Sequence, residues 1–196
     1  MPRRSRAESD ATAARVLEVA AQLFARDGYA HVGLELVATE AGVTRGAVYH
    51  HYAGKSALFR AVLSRLQEGV AEAVARAAQA ADDPWSGLEA GCREFLTASS
   101  GPATRRILLV DAPAVLGWAE WRAMDAVHSG RLLEDALTEL AAAGAIGAHP
   151  VAATAALLSG AMNEAALWIA ASPDPTAATS DAWLPLQAML RALRTD

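Results

Sequence analysis

Residues 36–59 read LVATEAGVTRGAVYHHYAGKSALF, and few folds accept that order of small, turning and apolar residues. Ala38, Gly42 and Val48 have the spacing of the small residue, the turn and the buried residue of a helix-turn-helix. Two helices joined by so short a turn cross closely, so Ala38 has to be small. Gly42 falls where the chain reverses sharply and a positive φ is tolerated. Thr44 stands where its hydroxyl caps a second helix, from about Arg45 to Tyr52. That helix turns Val48 inward and polar and aromatic residues outward. A unit of this kind is expected to lay its 45–52 helix in the major groove of DNA.

Around this unit the chain reads as all-α. Alternating β-branched runs are missing, while Ala, Leu, Glu and Arg recur at helical spacing. A first helix is expected from about Ala11 to Arg26, ended by Asp27-Gly28, and a second from Leu34 with Gly33 as N-cap. After the 45–52 helix, a long fourth runs from Gly54 to about Ala80. Asp83 and Pro84 suit an N-cap and first position, and open a helix over 84–99. Further helices are expected over 102–110, 113–144 with room for internal breaks, 150–171 and 181–194, with loops at 99–102 and 172–175. Residues 1–10 are polar and read as a disordered basic arm carrying Arg3, Arg4 and Arg6. The domains are expected at 11–56 and 57–196, meeting inside the fourth helix.

Charge divides along the same line. Residues 1–66 hold nine Arg/Lys and six Asp/Glu, net +3. Residues 67–196 hold eight and sixteen, net −8, which together give the −5 of the whole chain. A basic front on an acidic body fits a nucleic-acid contact confined to the N-terminus. The chain is 53% hydrophobic with mean hydropathy +0.17, enough for a core and a second buried surface such as a dimer interface. Cys92 is the single cysteine, so no intramolecular disulfide forms and a reducing cytoplasm is the expected compartment. No apolar leader follows the basic start. Residues 141–163 lack charge, long enough for the roughly 20 residues of a membrane span. Pro150 and Gly144, Gly147 and Gly160 interrupt them, and a helix buried in protein is expected instead. No nucleophile elbow, zinc-protease motif, phosphate-cradling glycine loop or Cys/His metal spacing occurs, so neither an enzyme, a metal nor a cofactor is expected.

The chain resembles the TetR-type bacterial transcriptional regulators. The resemblance rests on VLEVAAQLFARDGY (16–29) and LVATEAGVTRGAVYHHYAGKSALFRAVL (36–63), with RRILLVDAPAVLGWAEWR (105–122) similar to one subgroup. It implies an N-terminal three-helix helix-turn-helix domain joined to a C-terminal helical ligand-binding and dimerisation domain, about nine helices in all. It also implies DNA-facing positions at Thr44, Arg45, Gly46, Tyr49 and His50. Among these Arg45 suits direct readout, since its fork matches the O6 and N7 acceptors of guanine. Either His50 or its neighbour His51 touches DNA. Tyr52 is expected to pack inward. Lys55, at the start of the fourth helix, suits a phosphate. Where many relatives open the second helix with hydroxyl residues, Val32-Gly33 stands here, so a cap and its phosphate contact are missing.

The resemblance further implies a small, mainly apolar effector and a homodimer on a palindromic operator of double-stranded DNA, most simply as a ligand-released repressor. The alternative is a regulator without an effector, constitutive or controlled by a protein partner. Helices 150–171 and 181–194 carry small residues and leucines that suit a four-helix bundle between protomers. Candidate ligand contacts are Trp118, Trp121 and His128 on one helix side. Asn163, Glu164 and Trp168 stand on another helix, and Cys92 and Phe95 on a third. Each aromatic also fits plain core, and Glu164 fits an ion pair with Arg122 or Arg131.

Overall fold

The computed structural model describes Arg6–Thr195. Arg3 and Arg4 of the expected arm lie outside the described residues. Helix α1 spans Arg6–Asp27, so residues 6–10 are helical rather than disordered. Glu8 lies in the first turn, where a carboxylate suits the helix dipole, and the Thr12 hydroxyl donates to the Glu8 carbonyl at 2.8 Å. A 3₁₀ turn, Tyr29–His31, leads to α2 (Leu34–Glu40), α3 (Arg45–His51), α4 (Lys55–Gln79) and α5 (Pro84–Ser100). Asp83 caps α5 by accepting the amides of Trp85 and Ser86 at 2.9 and 3.0 Å.

The middle of the chain differs from its sequence pattern. Helix α6 (Pro102–Arg105) runs through a π-turn, Arg106–Asp111, into α7 (Ala112–Leu116). The expected helix over 113–144 is three pieces, α7, α8 (Trp118–Ala126) and α9 (Ser129–Ala142), because Gly117 turns at φ 82° and His128 leaves helical geometry. Helix α10 spans Val151–Ala171 and α11 Pro175–Arg191. The last helix starts six residues before the expected 181. Asp174 caps it by accepting the amides of Thr176 and Ala177 at 3.1 and 3.0 Å, and Pro175 fits its first position. The result among the described residues is eleven α-helical segments, two fused through the π-turn, and no strand beyond one bridge, Ile146–Arg194.

The core is continuous from end to end. Phe24 of α1 and Phe59 of α4 are fully buried and meet edge to face at 5.2 Å, with the Tyr29 ring 5.0 Å from Phe59. Helix α4 passes without a break through residues 56–57, where the two domains were expected to meet. Its far half packs against α5, and Gly87 and Gly91 let the two backbones close. A Cβ on Gly87 would lie 3.1 Å from the Ala78 carbonyl oxygen, and one on Gly91 3.4 Å from Val74. Helices α9 and α10 complete the body against α5. Among the described residues no helix is long and apolar enough to cross a membrane.

Replacing Phe59 removes the side chain that joins α1 to α4. Phe59→Ala should lower the free energy of unfolding by about 3–5 kcal/mol, measured by urea titration with circular dichroism.

Candidate nucleic-acid interface and effector cavity

Helix α2 ends in a tight turn with Gly42 at φ 62°. The Gly42 amide donates to the Thr39 carbonyl at 3.0 Å, and the Val43 amide to Ala38 at 2.9 Å, which satisfies carbonyls the helix end would leave free. The extended Thr44 then accepts the Ala47 amide on its hydroxyl at 3.2 Å and starts α3. Val48 is fully buried and Ala38 nearly so. The Tyr52 hydroxyl donates to the Ala13 carbonyl of α1 at 3.1 Å and fixes the far end of α3. With Val48 and Tyr52 inward, Thr44, Arg45, Gly46, Tyr49 and His50 are all exposed on the outer face, and His51 is half-buried.

Arg45 is held over this face in the free protein. Its guanidinium donates to the Tyr49 hydroxyl at 3.3 Å and lies 2.5 Å from the Glu35 carboxylate of α2. These two contacts, the Tyr49 bond first, raise the Arg45 pKa. Both partners are well exposed, so the pair is weak and exchangeable. The sequence pattern did not reveal Glu35, because ten residues and a turn separate it from its partner. Lys55 is half-buried. Its ammonium donates to the Ala30 carbonyl at 3.3 Å and sits 4.3 Å over the Tyr29 ring, and burial lowers its pKa. Gly33 caps α2 without a side-chain bond, as its lack of a hydroxyl requires.

A cavity of about 180 Å³ lies between α4, α5, α9 and α10. Val74, Cys92, Phe95, Leu133, Ser159 and Met162 are among its walls, and no charged side chain lines it. A polar cluster sits behind Ser159. The Arg122 guanidinium donates to the Ser159 hydroxyl at 3.1 Å and to the buried Asp125 carboxylate at 3.3 Å. Burial raises the Asp125 pKa, opposed mainly by Arg122. The Cys92 thiol, buried in the wall, is pushed up to about 12 by desolvation and then by Glu89.

The family model for the bacterial regulatory proteins of the tetR family matches residues 16–62. The model for the tetracyclin repressor-like C-terminal domain matches residues 85–193, more than half of the chain. The chain belongs to the TetR family. It is a DNA-binding transcriptional regulator, and no enzyme. The crystal structure of a TetR-family transcriptional regulator from Pectobacterium atrosepticum is similar over 98% of this chain and 99% of its own, with TM-score 0.82 and 31% identity. The regulator SrpR of Pseudomonas putida is 40% identical over 67 residues, 34% of this chain and 32% of SrpR. The regulator TtgR, also of Pseudomonas putida, is 39% identical over 83 residues, 42% of this chain and 39% of TtgR. The chain therefore spans only a third to two-fifths of these curated relatives.

Within this TetR-family regulator the expected ligand residues scatter. Cys92 and Phe95 line the cavity; Trp118, Trp121, His128, Asn163, Glu164 and Trp168 do not. Trp121 is core, its indole donating to the Leu108 carbonyl at 2.8 Å, and Trp118 is exposed beside it. His128 is half-buried at the α8–α9 break. Glu164 is exposed, because the core stripe of α10 runs through Ala155, Ser159, Asn163 and Ala166; Trp168 is exposed as well. Contacts from the π-turn join the body to the reading head, and sequence reasoning missed them. Arg106 donates to the Arg26 and Asp27 carbonyls at 3.3 and 3.2 Å, and Asp111 accepts the Tyr29 amide at 2.9 Å. Gly28 stands there at φ 81°, a conformation that L side chains rarely adopt, and a Cβ would push the Arg106 guanidinium aside. On α8, Glu120 accepts Arg60 of α4 through both oxygens at 2.5 and 3.1 Å.

The raised Cys92 pKa has a definite sign. Between about pH 9 and 12 the unfolded chain loses the thiol proton and the folded chain keeps it, so stability should fall as pH rises through that window. At pH 8 the native thiol should resist alkylation and label at the rate of a free thiol only after unfolding, read by mass spectrometry.

Proposed function

We propose that this regulator binds a palindromic operator as a homodimer, blocks transcription there, and is released by a small, mainly apolar effector. It acts in the cytoplasm, where its DNA is. One observation carries the reading: α4 begins beside the reading head at Lys55 and ends as a wall of the cavity at Val74, Ala75, Ala78 and Gln79. An occupant that pushes on the last turns of α4 moves its first turn, and with it the aim of α3. The open, uncharged cavity supports an effector over the alternative of a regulator without one, whose body would be filled. Coupling can be no larger than the effector's differential affinity for the two shapes.

On DNA, Arg45 exchanges Glu35 and Tyr49 for the acceptors of a guanine, and Tyr49 and one histidine of the pair His50 and His51 address neighbouring groups. Thr44 and Lys55 hold phosphates, and Gly46 lets the backbone approach. Residues 11–56 form the DNA-binding domain and 57–196 the effector-binding and dimerisation domain. The dimer would use the outer faces of α10 and α11. Leu157, Gly160, Glu164 and Trp168 form one exposed stripe there, and Leu184 and Met189 stand exposed on the other helix. Gly160 opens onto free space, which suits close helix approach. Of the leucines on the two helices, Leu158, Leu186 and Leu190 are buried within the protomer. Two such faces pack as a four-helix bundle about a two-fold axis. The reading helices then meet half-sites roughly 34–36 Å apart.

Binding-site selection with purified protein should return a palindrome. Arg45→Ala should lower affinity for it by roughly ten- to a hundredfold and relax one base position per half-site; an unchanged sequence preference would remove Arg45 from the readout. Leu157→Glu should shift the protein from dimer to monomer at micromolar concentration in light scattering, and a dimer that persisted would place the interface elsewhere.

A further inference from the structure

Residues 67–196 hold eight arginines, no lysine and sixteen acids. With two acids for each arginine, a cation without a carboxylate stands out. Five of the eight are paired with one: Arg76, Arg106, Arg122, Arg131 and Arg191. Among the described residues Arg93, Arg105 and Arg194 are not. Arg194 lies 5.0 Å over the Trp85 ring. The other two line the same cleft.

That cleft, about 550 Å³ in volume, lies between α5, α6, the end of α10 and the start of α11. Arg93, Thr97 and Ser100 recur at helical spacing along one face of α5. Arg105 lines the cleft from α6, and Thr176 and Ser180 line it from α11. No aspartate or glutamate is among its walls. Asp174, beside it in the chain, spends its carboxylate on the Thr176 and Ala177 amides. The cleft shares no residue with the α4–α5–α9–α10 cavity. Helix α5 presents Cys92 and Phe95 to that cavity, and Arg93 and Thr97 to this cleft.

Arg105 is the anchored cation. Its Nη1 donates to the Ala170 carbonyl at the end of α10, and its Nε, sealed from solvent, has no acceptor. A carbonyl carries only a partial charge, so the guanidinium lacks a counter-ion. The edge left over is Nε with Nη2, the edge by which Arg60 holds Glu120 through both oxygens. A planar carboxylate matches that fork. From the cleft it takes Nη2 and, with a small turn of the guanidinium, Nε. A phosphate is favoured by free helix amides, and Asp174 already occupies those of α11. Arg93 is exposed, with its guanidinium 5.8 Å from the Trp183 ring, and its long side chain can turn along the cleft. One carboxylate would balance one of the two charges and fill little of the volume. We propose that this cleft binds a small organic dicarboxylate, one carboxylate on the free edge of Arg105 and the other on Arg93, as a second ligand site of the regulator. It goes beyond the apolar effector, and neither site depends on the other.

Calorimetric titration of the full chain tests it, in a low-salt buffer free of carboxylates and phosphate. The probes are adipate, its neutral diamide, butyrate and inorganic phosphate. Adipate should bind roughly tenfold more tightly than each of the others, as charge-assisted hydrogen bonds at both ends require. Arg105→Gln and Arg93→Gln should each weaken adipate by roughly tenfold, with folding verified by the melt and the mass in light scattering unchanged. Leu133→Trp, which fills the α4–α5–α9–α10 cavity, should leave adipate binding as it is. The diamide binding as tightly as adipate would overturn the charge pairing, and butyrate binding as tightly would overturn the second carboxylate. Preference for phosphate would overturn the ligand class. Loss of adipate binding in folded Leu133→Trp would place adipate in the other cavity. Dissociation of the protein by Arg105→Gln would assign the free edge to a carboxylate of a second copy and overturn the proposal. No adipate binding to folded wild-type protein would overturn it as well, and would leave the apolar-effector reading untouched.

Discussion

The contact of Phe24 with Phe59 fixes the angle of α4, and most of the molecule takes its orientation from that helix. Phe59 lies one turn after Lys55, beside the reading head, and starts a buried stripe that continues through Leu63, Gln67, Val70 and Val74. Those positions repeat at helical spacing and so share one face. Over the fifteen residues from Phe59 to Val74 the stripe covers about 22 Å. A rigid helix cannot rotate at one end and stay still at the other. The aromatic contact therefore ties the first turns of α4, beside α3, to the far end of the stripe.

Two polar ties hold the body against this arrangement, and the π-turn explains one of them. Arg106 and Asp111 are five residues apart. In an α-helix that spacing points two side chains about 140° apart, whereas a π-turn, with its i to i+5 repeat, aligns them. Here they lie 3.9 Å from each other and grip α1 together, Arg106 on the terminal carbonyls and Asp111 on the next free amide. The cation at a helix C-terminus is itself favourable. The second tie, Arg60 with Glu120, joins α4 to α8. Both ties are partly exposed, so each contributes modestly and is screened by salt. Contacts of that strength can break and reform between two shapes, as a switch requires, while the aromatic core stays intact.

Local chemistry was legible in the sequence where a residue type has one structural use. Thr44, Asp83 and Gly42 announced a cap, a cap and a turn, and the helices beside them start and stop accordingly. The faces of α10 were not legible. Alanine and leucine surround that helix, so apolar periodicity gives no contrast, and Asn163 and Glu164, adjacent in sequence, point about 100° apart. The start of α11 was missed because Pro173 and Pro175 read as loop, although Asp174-Pro175 is also a cap followed by a first residue. The π-turn has no sequence signature of its own. The cavity is the hardest case, since glycines and short side chains on four helices create it jointly.

A ligand that merely fills an apolar space stabilises whichever shape contains that space, and its leverage on α4 is limited to packing. Its total affinity then moves nothing, because only a difference in affinity between two orientations of a helix shifts their populations.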